Sequence, residues 1–355
     1  MPSSWSRRNF TSALAALGLG FAVPGAAKSG GAVPFKLGII TDEAGEDLEQ
    51  ALRFIVRHSL PYGELRTLWG KNIMTLSPAE LRRARELLRE HNVKVAAIDS
   101  PLFKYDLPEM PAPPQKRDLF GVDYTDKDTP TLLKQCCELA HFFGTTKVRV
   151  FSYFRVADPE QAYPLVRDRL ARAAEEAGRA GVVLMVENEL VCNVGTGKEM
   201  ARLVRNVNSP HLRGNWDPAN GAALGEVIYP DAYREVRGLF VHMHVKSFRR
   251  DPHSGEVIWS RLSEGVIDYR GLLRALRVDG YAGVLSLETH YRRPDGNAAE
   301  SSREVLEELR KIIREVNQDK SCAGQLRRGL ASSRACSRNE WPAARSDGRP
   351  AADMS

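Results

Sequence analysis

The sequence predicts an α/β protein in which eight parallel strands close into a single-domain (β/α)8 TIM barrel. Short apolar segments alternate with amphipathic helical segments from residue 35 onward, and this alternation is typical of a parallel sheet with crossover helices. Eight strands close a barrel, and about 285 residues suit one such domain. The rival fold, an open doubly wound sheet, prefers a glycine-rich turn after its first strand. Residues 41–44 read Thr-Asp-Glu-Ala and do not form one.

The strands are predicted from short runs rich in Val, Ile and Leu. In chain order they are Lys36–Ile40, Tyr62–Thr67, Val93–Ile98, Lys147–Phe151, Val182–Glu187, Arg213–Asp217, Leu239–Val245 and Val284–Glu288. The helices are predicted from apolar residues spaced three to four apart, as in Pro78–Glu90, where Leu81, Ala84 and Leu88 share a face. Other helical patterns cover Thr131–Phe143, Asp158–Ala180 and Ser301–Val316.

Two terminal segments lie outside the predicted barrel, which we place at residues 28–317. Residues 1–27 begin with Arg7 and Arg8, followed by Phe10, and continue into an apolar run that ends in small residues. This order is typical of a twin-arginine export signal, so we expect a periplasmic protein, free of the membrane after signal removal. Residues 318–355 are rich in Arg, Ser and Ala without periodicity, which predicts a disordered basic tail.

The net charge of +6 at pH 7 comes mostly from these two ends. Residues 1–27 hold two arginines and no acidic residue, and residues 318–355 hold seven basic and four acidic residues. The predicted barrel is therefore nearly neutral, which argues against a nucleic-acid groove and against a nucleic-acid partner. The sequence leaves a homo-oligomer open.

The segment from residue 101 to residue 130 interrupts the alternation of strands and helices. It contains six prolines and four aromatic residues, Phe103, Tyr105, Phe120 and Tyr124. A long connection after a barrel strand either covers an active site at the C-terminal face or forms a surface excursion. The pattern leaves both interpretations open.

The last four predicted strands each place an acid or an imidazole at the C-terminal end, at Glu187, Asp217, His244 and Glu288. Side chains at these ends meet over the mouth of a barrel. Three carboxylates buried so close together would repel one another and lose solvation, so they require a compensating positive charge. Three carboxylates and one imidazole suit Mn²⁺, with Mg²⁺, Co²⁺ and Zn²⁺ as alternatives. The four residues are therefore predicted to bind a divalent ion that polarises a substrate carbonyl.

Other side chains near the strand ends have two interpretations each. Lys246 could contact an anionic substrate or lie at the rim as a solvated ammonium. Glu64 and Arg66 could reach the mouth or pair with each other. Trp69 and Trp216 could stack on a sugar ring or pack in the core.

Two further histidines lie close to the predicted ligands. His242 has the same strand parity as His244, and we interpret it as a hydrogen-bonding residue of the barrel interior rather than as a fifth ligand. His290 follows the last strand and could contact either the site or solvent.

The segments around the four predicted ligands resemble the xylose isomerase-like TIM barrels, a superfamily of sugar phosphate isomerases and epimerases, ketose 3-epimerases, hydroxypyruvate isomerases and inosose dehydratases. Glu187 stands in VLMVENE, Asp217 in GNWDPAN, His244 in VHMHVKS and Glu288 in GYAGVLSLETH. The resemblance is strong over residues 180–290, moderate from residue 35, and does not include the tail.

The resemblance implies that Glu187 and Glu288 are catalytic as well as metal-binding, and that they remove and return the proton α to the carbonyl. Asp217 and His244 would be ligands only. The physical case stands beside the resemblance, because a metal-bound carboxylate close to a C–H that the same metal acidifies is a workable base.

The sequence also departs from the family pattern next to these residues. Asn220 stands where many members have a substrate-contacting histidine, and Ser247 stands where many have an aspartate. Arg250 falls where some members place a substrate-binding arginine, although Arg249 is equally available. These changes leave the metal ligands intact and fall on positions that contact substrate in the family. The residues predicted to bind substrate are Asn220, Arg250, Lys246, Glu64 and Trp69.

The first functional hypothesis is a divalent-metal-dependent sugar isomerase or epimerase that acts on a small carbohydrate through an enediolate. The alternative is a lyase or dehydratase that uses the same metal site on a keto-sugar, an inosose or a 3-keto-glycoside. DNA repair of the AP endonuclease type shares the barrel, but it needs more histidine and carboxylate ligands and a basic surface. A binding protein without catalysis is disfavoured by the intact pair of glutamates.

Overall fold

The computed structural model describes residues 35–114, 117 and 119–319. The predicted export signal lies outside the described residues, as does the predicted tail except for Gln318 and Asp319. None of the described helices is both long enough and apolar enough to cross a membrane.

Eight parallel strands close into one barrel. They are β1 (Lys36–Ile40), β2 (Tyr62–Leu65), β3 (Lys94–Asp99), β4 (Lys147–Val150), β5 (Val183–Glu187), β6 (Leu212–Trp216), β7 (Phe240–Val245) and β8 (Val284–Leu287). Each strand pairs with its sequence neighbours, and β8 pairs with β1 to close the ring. The predicted single-domain (β/α)8 TIM barrel is therefore confirmed.

Helices flank the barrel. They are α1 (Leu48–Arg57), α2 (Pro78–Glu90), α3 (Thr129–Phe143), α4 (Pro159–Arg179), α5 (Gly197–Val207), α6 (Pro218–Ala223), α7 (Tyr233–Val236), α8 (Tyr269–Val278) and α9 (Ala298–Gln318). Capping interactions explain where these helices begin and end. At the start of α2, Ser77 and Glu80 exchange side-chain and backbone hydrogen bonds in a capping box, and Pro78 occupies the first turn. At the end of α3, Gly144 adopts the left-handed conformation with φ 73°.

Two short antiparallel hairpins project from the C-terminal side of the strands. The first pairs Thr67–Leu68 with Lys71–Asn72, and the second pairs Ser247–Arg250 with Val257–Ser260. The sequence analysis predicted neither hairpin.

The observed bounds correct several predicted ones by a few residues. β2 ends at Leu65 rather than Thr67, because Thr67 belongs to the first hairpin. β6 ends one residue before Asp217, which leaves the strand to cap α6. The predicted last helix begins at Ala298 and runs to Gln318, so it includes the first residue of the predicted tail.

Apolar side chains fill the layer between strands and helices, whereas polar side chains fill much of the barrel interior. Glu64, Arg149, Asn215 and His242 all project from strands and are at most 1% exposed. Because buried polar groups are costly without partners, these side chains form ion pairs and hydrogen bonds across the barrel. The network they form supports the residues at the mouth.

Candidate metal centre

Four side chains from neighbouring strands converge at the C-terminal end of the barrel. Glu187 ends β5, Asp217 follows β6, His244 lies in β7 and Glu288 follows β8. Each offers a carboxylate oxygen or ring nitrogen, and these atoms all lie within 4.8 Å of one another. None of the four residues is more than 3% exposed. The structure therefore brings together the four residues that the sequence analysis assigned to the metal.

His244 occupies the centre of this group. Its Nδ1 atom lies 3.2 Å from Glu187 Oε1, 3.2 Å from Glu288 Oε2 and 4.0 Å from Asp217 Oδ2. Burial alone would lower the pKa of His244, but the carboxylates of Glu187, Glu288 and Glu64 raise it well above its usual value. The surrounding carboxylates therefore favour positive charge at this point.

The start of α6 orients the carboxylate of Asp217. Oδ1 accepts hydrogen bonds from the backbone N–H groups of Ala219 (2.8 Å) and Asn220 (3.0 Å). The backbone N–H of Asp217 donates to Asn188 Oδ1 at 2.8 Å. Since Oδ1 caps the helix, Oδ2 is the oxygen that faces the other ligands.

The ammonium group of Lys246 lies between two of the four ligands. Its Nζ atom is 2.6 Å from Glu288 Oε2 and 2.8 Å from Asp217 Oδ2. Burial would lower the pKa of Lys246, but Asp217 and Glu288 raise it well above its usual value. Burial raises the pKa of Asp217 to about 6, against the opposing effect of Lys246. Two of the predicted ligands thus already attract a cationic side chain.

Two buried arginines bind the remaining oxygens of the glutamates. Arg149 Nη1 donates to Glu187 Oε2 at 3.2 Å, and Arg66 Nη1 donates to Glu288 Oε1 at 2.9 Å. Burial would raise the pKa of Glu187, but His244 and Arg149 lower it below its usual value. Burial would also raise the pKa of Glu288, but Lys246 and His244 hold it well below its usual value. Both glutamates are therefore ionised at neutral pH.

Glu64 holds the imidazole of His244 from the interior of the barrel. Its Oε2 atom lies 3.3 Å from His244 Nε2, and its Oε1 atom lies 2.8 Å from His242 Nε2. Burial would raise the pKa of Glu64, but the two histidines lower it well below its usual value. An ionised carboxylate only accepts hydrogen bonds, so it favours a proton on His244 Nε2 and leaves Nδ1 to face the other ligands. His242 occupies the interior position that we expected.

A cavity of about 300 Å³ adjoins these residues at the barrel mouth. Lys246 and Glu288 line it on one side, and Asn220 lines it beside them. Trp259, from the second hairpin, and His290 complete this part of the wall, with their ring centroids 4.9 Å apart. Two of the five residues predicted to bind substrate, Asn220 and Lys246, thus line this cavity.

The other three residues predicted to bind substrate do not line this cavity. Glu64 is fully buried beneath His244. Trp69 Nε1 donates to Glu49 Oε2 at 2.9 Å. Arg250 is exposed and donates to the backbone carbonyls of residues 255 and 223. Because each side chain is engaged elsewhere, their placement does not support a contact with substrate in this cavity.

The structure also decides between the two interpretations of Arg66 and of Trp216. Arg66 lines the cavity and pairs with Asp42 and Glu43 as well as with Glu288, rather than with Glu64. Trp216 is fully buried and packs in the core.

The sequence analysis missed several residues at this mouth. Arg149 stands at an interior position of β4, and its charge within an apolar strand was the available signal. Asp99 ends β3 and is fully buried, and burial followed by the charge of Glu64 raises its pKa well above its usual value. Extending the predicted third strand by one residue would have revealed it. Lys104 lies in the long connection and Trp259 in the second hairpin, where no periodic pattern indicated a site. Phe120 was named only as one of the aromatic residues of that connection.

The donor set fits a divalent ion. Three carboxylates and one imidazole nitrogen present oxygen and nitrogen atoms at mutual distances within the span of one coordination sphere. The carboxylates also raise the pKa values of the two cationic groups placed among them, His244 and Lys246, which shows that the centre favours positive charge. Glu187, Asp217, His244 and Glu288 would hold the ion.

The family model of the xylose isomerase-like TIM barrels matches residues 53–312. The chain belongs to this family. The matched segment of this xylose isomerase-like barrel includes all four residues of the candidate metal centre. No curated protein sequence matches the chain closely enough to count as a relative.

Solved structures of low sequence identity share this xylose isomerase-like fold. The IOLI protein with a bound zinc atom is 19% identical, with a TM-score of 0.63 over 79% of this chain and 99% of that one. The probable 3-DHS dehydratase AsbF from Bacillus anthracis is 18% identical, with a TM-score of 0.57 over 76% and 98%. The 3-keto-D-glucoside 4-epimerase YcjR from E. coli is 18% identical, with a TM-score of 0.56 over 78% and 99%. At these identities the likeness establishes the fold alone.

Proposed function

We propose that the chain is a divalent-metal-dependent isomerase or epimerase of a polyhydroxy ketone, and that Glu187 and Glu288 are its acid/base pair. The observation that carries the proposal is that two ionised glutamates reach the same imidazole nitrogen from separate strands, each at 3.2 Å. A site with two carboxylates and an adjoining cavity can remove a proton and return it at another position. A likeness to a solved epimerase supports the reaction class.

The reaction begins when one glutamate takes the proton from the carbon next to the carbonyl. The C–H electrons form a C=C bond, and the carbonyl electrons move onto oxygen, which gives an enediolate. In isomerisation the same glutamate returns this proton to the neighbouring carbon, and the hydroxyl proton of that carbon moves to the former carbonyl oxygen. In epimerisation the other glutamate takes a proton from solvent and delivers it to the opposite face of the same carbon, while the first glutamate releases its proton to solvent. A bound ion, which we propose is Mn²⁺ with Mg²⁺, Co²⁺ or Zn²⁺ as alternatives, would stabilise the developing negative charge.

Neighbouring side chains determine the orientation and the charge of Glu187 and Glu288. Arg149 and Arg66 each bind one oxygen, so each carboxylate keeps its other oxygen toward the centre. Lys246 and His244 keep Glu288 ionised despite its burial. The glutamates are thus oriented and charged before substrate binds, which lowers the cost of reorganisation during the proton transfer.

A lyase or dehydratase acting on a keto-sugar, an inosose or a 3-keto-glycoside is the second candidate. It shares the first proton transfer, after which the β C–O bond breaks and the leaving oxygen takes a proton. The likeness to a probable dehydratase favours it. Repair of DNA is the weaker candidate, because the described residues form only one four-ligand group and a smaller group that shares His244. We also propose that the protein acts in the periplasm, on the strength of residues 1–27.

The reaction can be tested by proton NMR in D₂O with the Mn²⁺ removed after incubation. The panel contains ketoses, inososes and 3-keto-glycosides. We expect α-proton exchange together with an isomerised or epimerised product. Exchange of the α-proton with loss of a β-substituent would show that the protein is a lyase. If no compound exchanges its α-proton, both the isomerase and the lyase assignments are wrong.

A substitution tests the assigned acid/base pair directly. Glu288→Gln keeps the shape of the side chain but removes its basicity, so we expect exchange to fall by about 10²–10⁴-fold, as for other general bases. The matched control is Glu189→Gln, since Glu189 also lines the cavity but is not among the four ligands. Unchanged turnover in Glu288→Gln would show that the assigned mechanism is wrong.

A further inference from the structure

The two halves of the barrel mouth carry different kinds of side chain. The metal ligands come from the strand ends of β5 to β8. The cavity wall on the other half contains three basic residues: Arg66 after β2, Lys104 after β3 and Arg149 in β4. Because strands follow one another in order around the ring, these residues come from the strands opposite β7, although Arg149 contacts Glu187 and Arg66 contacts Glu288.

The three basic side chains gather around one aromatic ring. Lys104 Nζ lies 4.0 Å from the centroid of the Phe120 ring, and the guanidinium carbons of Arg149 and Arg66 lie 5.2 Å and 5.7 Å from it. Lys104 Nζ is also 4.7 Å from the ring of Phe151. Attraction between cations and aromatic rings stabilises each charge, but the cations repel one another.

The three cations differ in how well carboxylates neutralise them. Arg66 pairs with three carboxylates, and Arg149 pairs with Glu187. The ammonium group of Lys104 has no carboxylate within 4.0 Å and no hydrogen-bond acceptor among residues 35–114, 117 and 119–319, although the residue is only 5% exposed. Arg149 Nε and Nη2 are buried and have no acceptor within this part of the chain. A nearly buried ammonium without a counter-charge is costly, so Lys104 calls for an anion, and Arg149 lines the same cavity against the same ring.

We propose that Lys104 and Arg149 bind an anionic oxygen group of the substrate, a carboxylate or a phosphate ester. This inference rests on the proposed function and narrows its substrate class to an acidic polyhydroxy ketone. The anionic group contacts Lys104 and Arg149, and the hydroxy-ketone end extends toward Glu187 and Glu288. A cavity of about 300 Å³ has room for a molecule the size of a small sugar acid. Anchoring one end of the substrate orients the other end for proton transfer.

The binding of three unreactive polyols tests this proposal by calorimetry on the full chain loaded with Mn²⁺. D-Glucitol, D-gluconate and D-glucitol 6-phosphate share a six-carbon chain but carry a neutral, a carboxylate and a phosphate end. We expect at least one of the two anions to bind about tenfold more tightly than glucitol. The stronger of the two identifies the anionic group. Equal binding of all three would overturn the proposal.

Variants of Lys104 separate the anion subsite from direct binding of the anion to the metal. Lys104→Met should abolish the preference for anions, whereas Lys104→Arg, which keeps the charge, should retain it. Lys127→Met is the matched control, because Lys127 is an exposed lysine of the same connection. Thermal melting checks that each variant is folded. If Lys104→Met still binds the anionic polyols more tightly than glucitol, the anion binds the metal directly and the proposal is wrong.

The two proposals fail in different ways. If the polyol preference depends on Lys104 but no compound exchanges an α-proton, the anion subsite stands and the isomerase assignment falls. If neutral ketoses exchange an α-proton and the three polyols bind equally, the isomerase assignment is supported and the anion subsite is wrong.

Discussion

At the scale of single residues, the negative charges of buried carboxylates at the candidate metal centre are balanced by the positive charges of neighbouring cations. Lys246 contacts Glu288 and Asp217 through the oxygens that face the other ligands. A bound divalent ion would use the same two carboxylates. Lys246 and the ion therefore compete for them and repel each other.

This competition predicts that Lys246→Met binds Mn²⁺ more tightly than the wild type. The substitution removes one positive charge while keeping most of the apolar stem, and we expect the dissociation constant to fall by about tenfold. Titration followed by the EPR signal of free Mn²⁺ measures it. Lys71→Met, at an exposed lysine that pairs with Glu80, serves as the control and should leave the constant unchanged. Weaker binding in Lys246→Met would mean that the ammonium supports the metal site.

Residues at strand ends were the part of the site that sequence could predict. The alternation of side chains along a strand places Glu187 and His244 toward the mouth without knowledge of the tertiary structure. The pairing of Glu64 with His242 could not be foreseen, since the two are 178 positions apart and meet only when the barrel closes. Trp259 was missed because its hairpin contains no periodic pattern that differs from a loop.

At the scale of secondary-structure elements, helix caps determine where connections begin and end. Thr196 and Glu199 form a capping box at the start of α5. Glu199 also pairs with Arg155 at 2.8 Å and accepts from the backbone N–H of Gly195. Burial would raise the pKa of Glu199, but these hydrogen bonds lower it below its usual value of 4.5.

The lowered pKa predicts how the stability of the Glu199→Gln variant depends on pH. A carboxyl group whose pKa is depressed on folding contributes stability above its unfolded value, and that contribution is lost as the pH falls through the folded value. We expect the variant to lose about 1 kcal/mol of unfolding free energy at pH 7, because Gln keeps the capping hydrogen bond but loses the charge that pairs with Arg155. The difference should shrink as the pH falls below 4.5.

Urea unfolding at a series of pH values measures this difference. Glu175→Gln is the control, because Glu175 is exposed and, within the described part of the chain, pairs only with Arg179 one turn later. A loss that does not vary with pH would show that the charge of Glu199 is not the stabilising feature.

The strands and helices themselves were largely predictable from local patterns. All eight barrel strands were found, with bounds that differ by at most two residues, because apolar runs and amphipathic periods are local properties. The role of the long connection was not predictable, since Lys104 and Phe120 reach the cavity only after the chain folds back over the mouth. Their position favours the interpretation of this connection as a cover for the site.

At the scale of the whole molecule, the predicted order is an export signal, a barrel and a basic tail. The signal predicts that replacing Arg7 and Arg8 together by lysine blocks export, because twin-arginine signals depend on the pair. Fractionation of cells that express the full chain measures the result, with the unaltered chain and an Arg338→Lys variant as controls. Periplasmic recovery of the double variant would contradict the twin-arginine assignment.

The central claim is that Glu187, Asp217, His244 and Glu288 hold one divalent ion at the mouth of the barrel. Crystals grown with Mn²⁺ and measured at the manganese absorption edge test it most directly. We predict a single anomalous peak bounded by these four side chains, and its loss in Asp217→Ala. A peak elsewhere, or no peak while Lys246 stays between Asp217 and Glu288, would contradict the assignment of the metal centre.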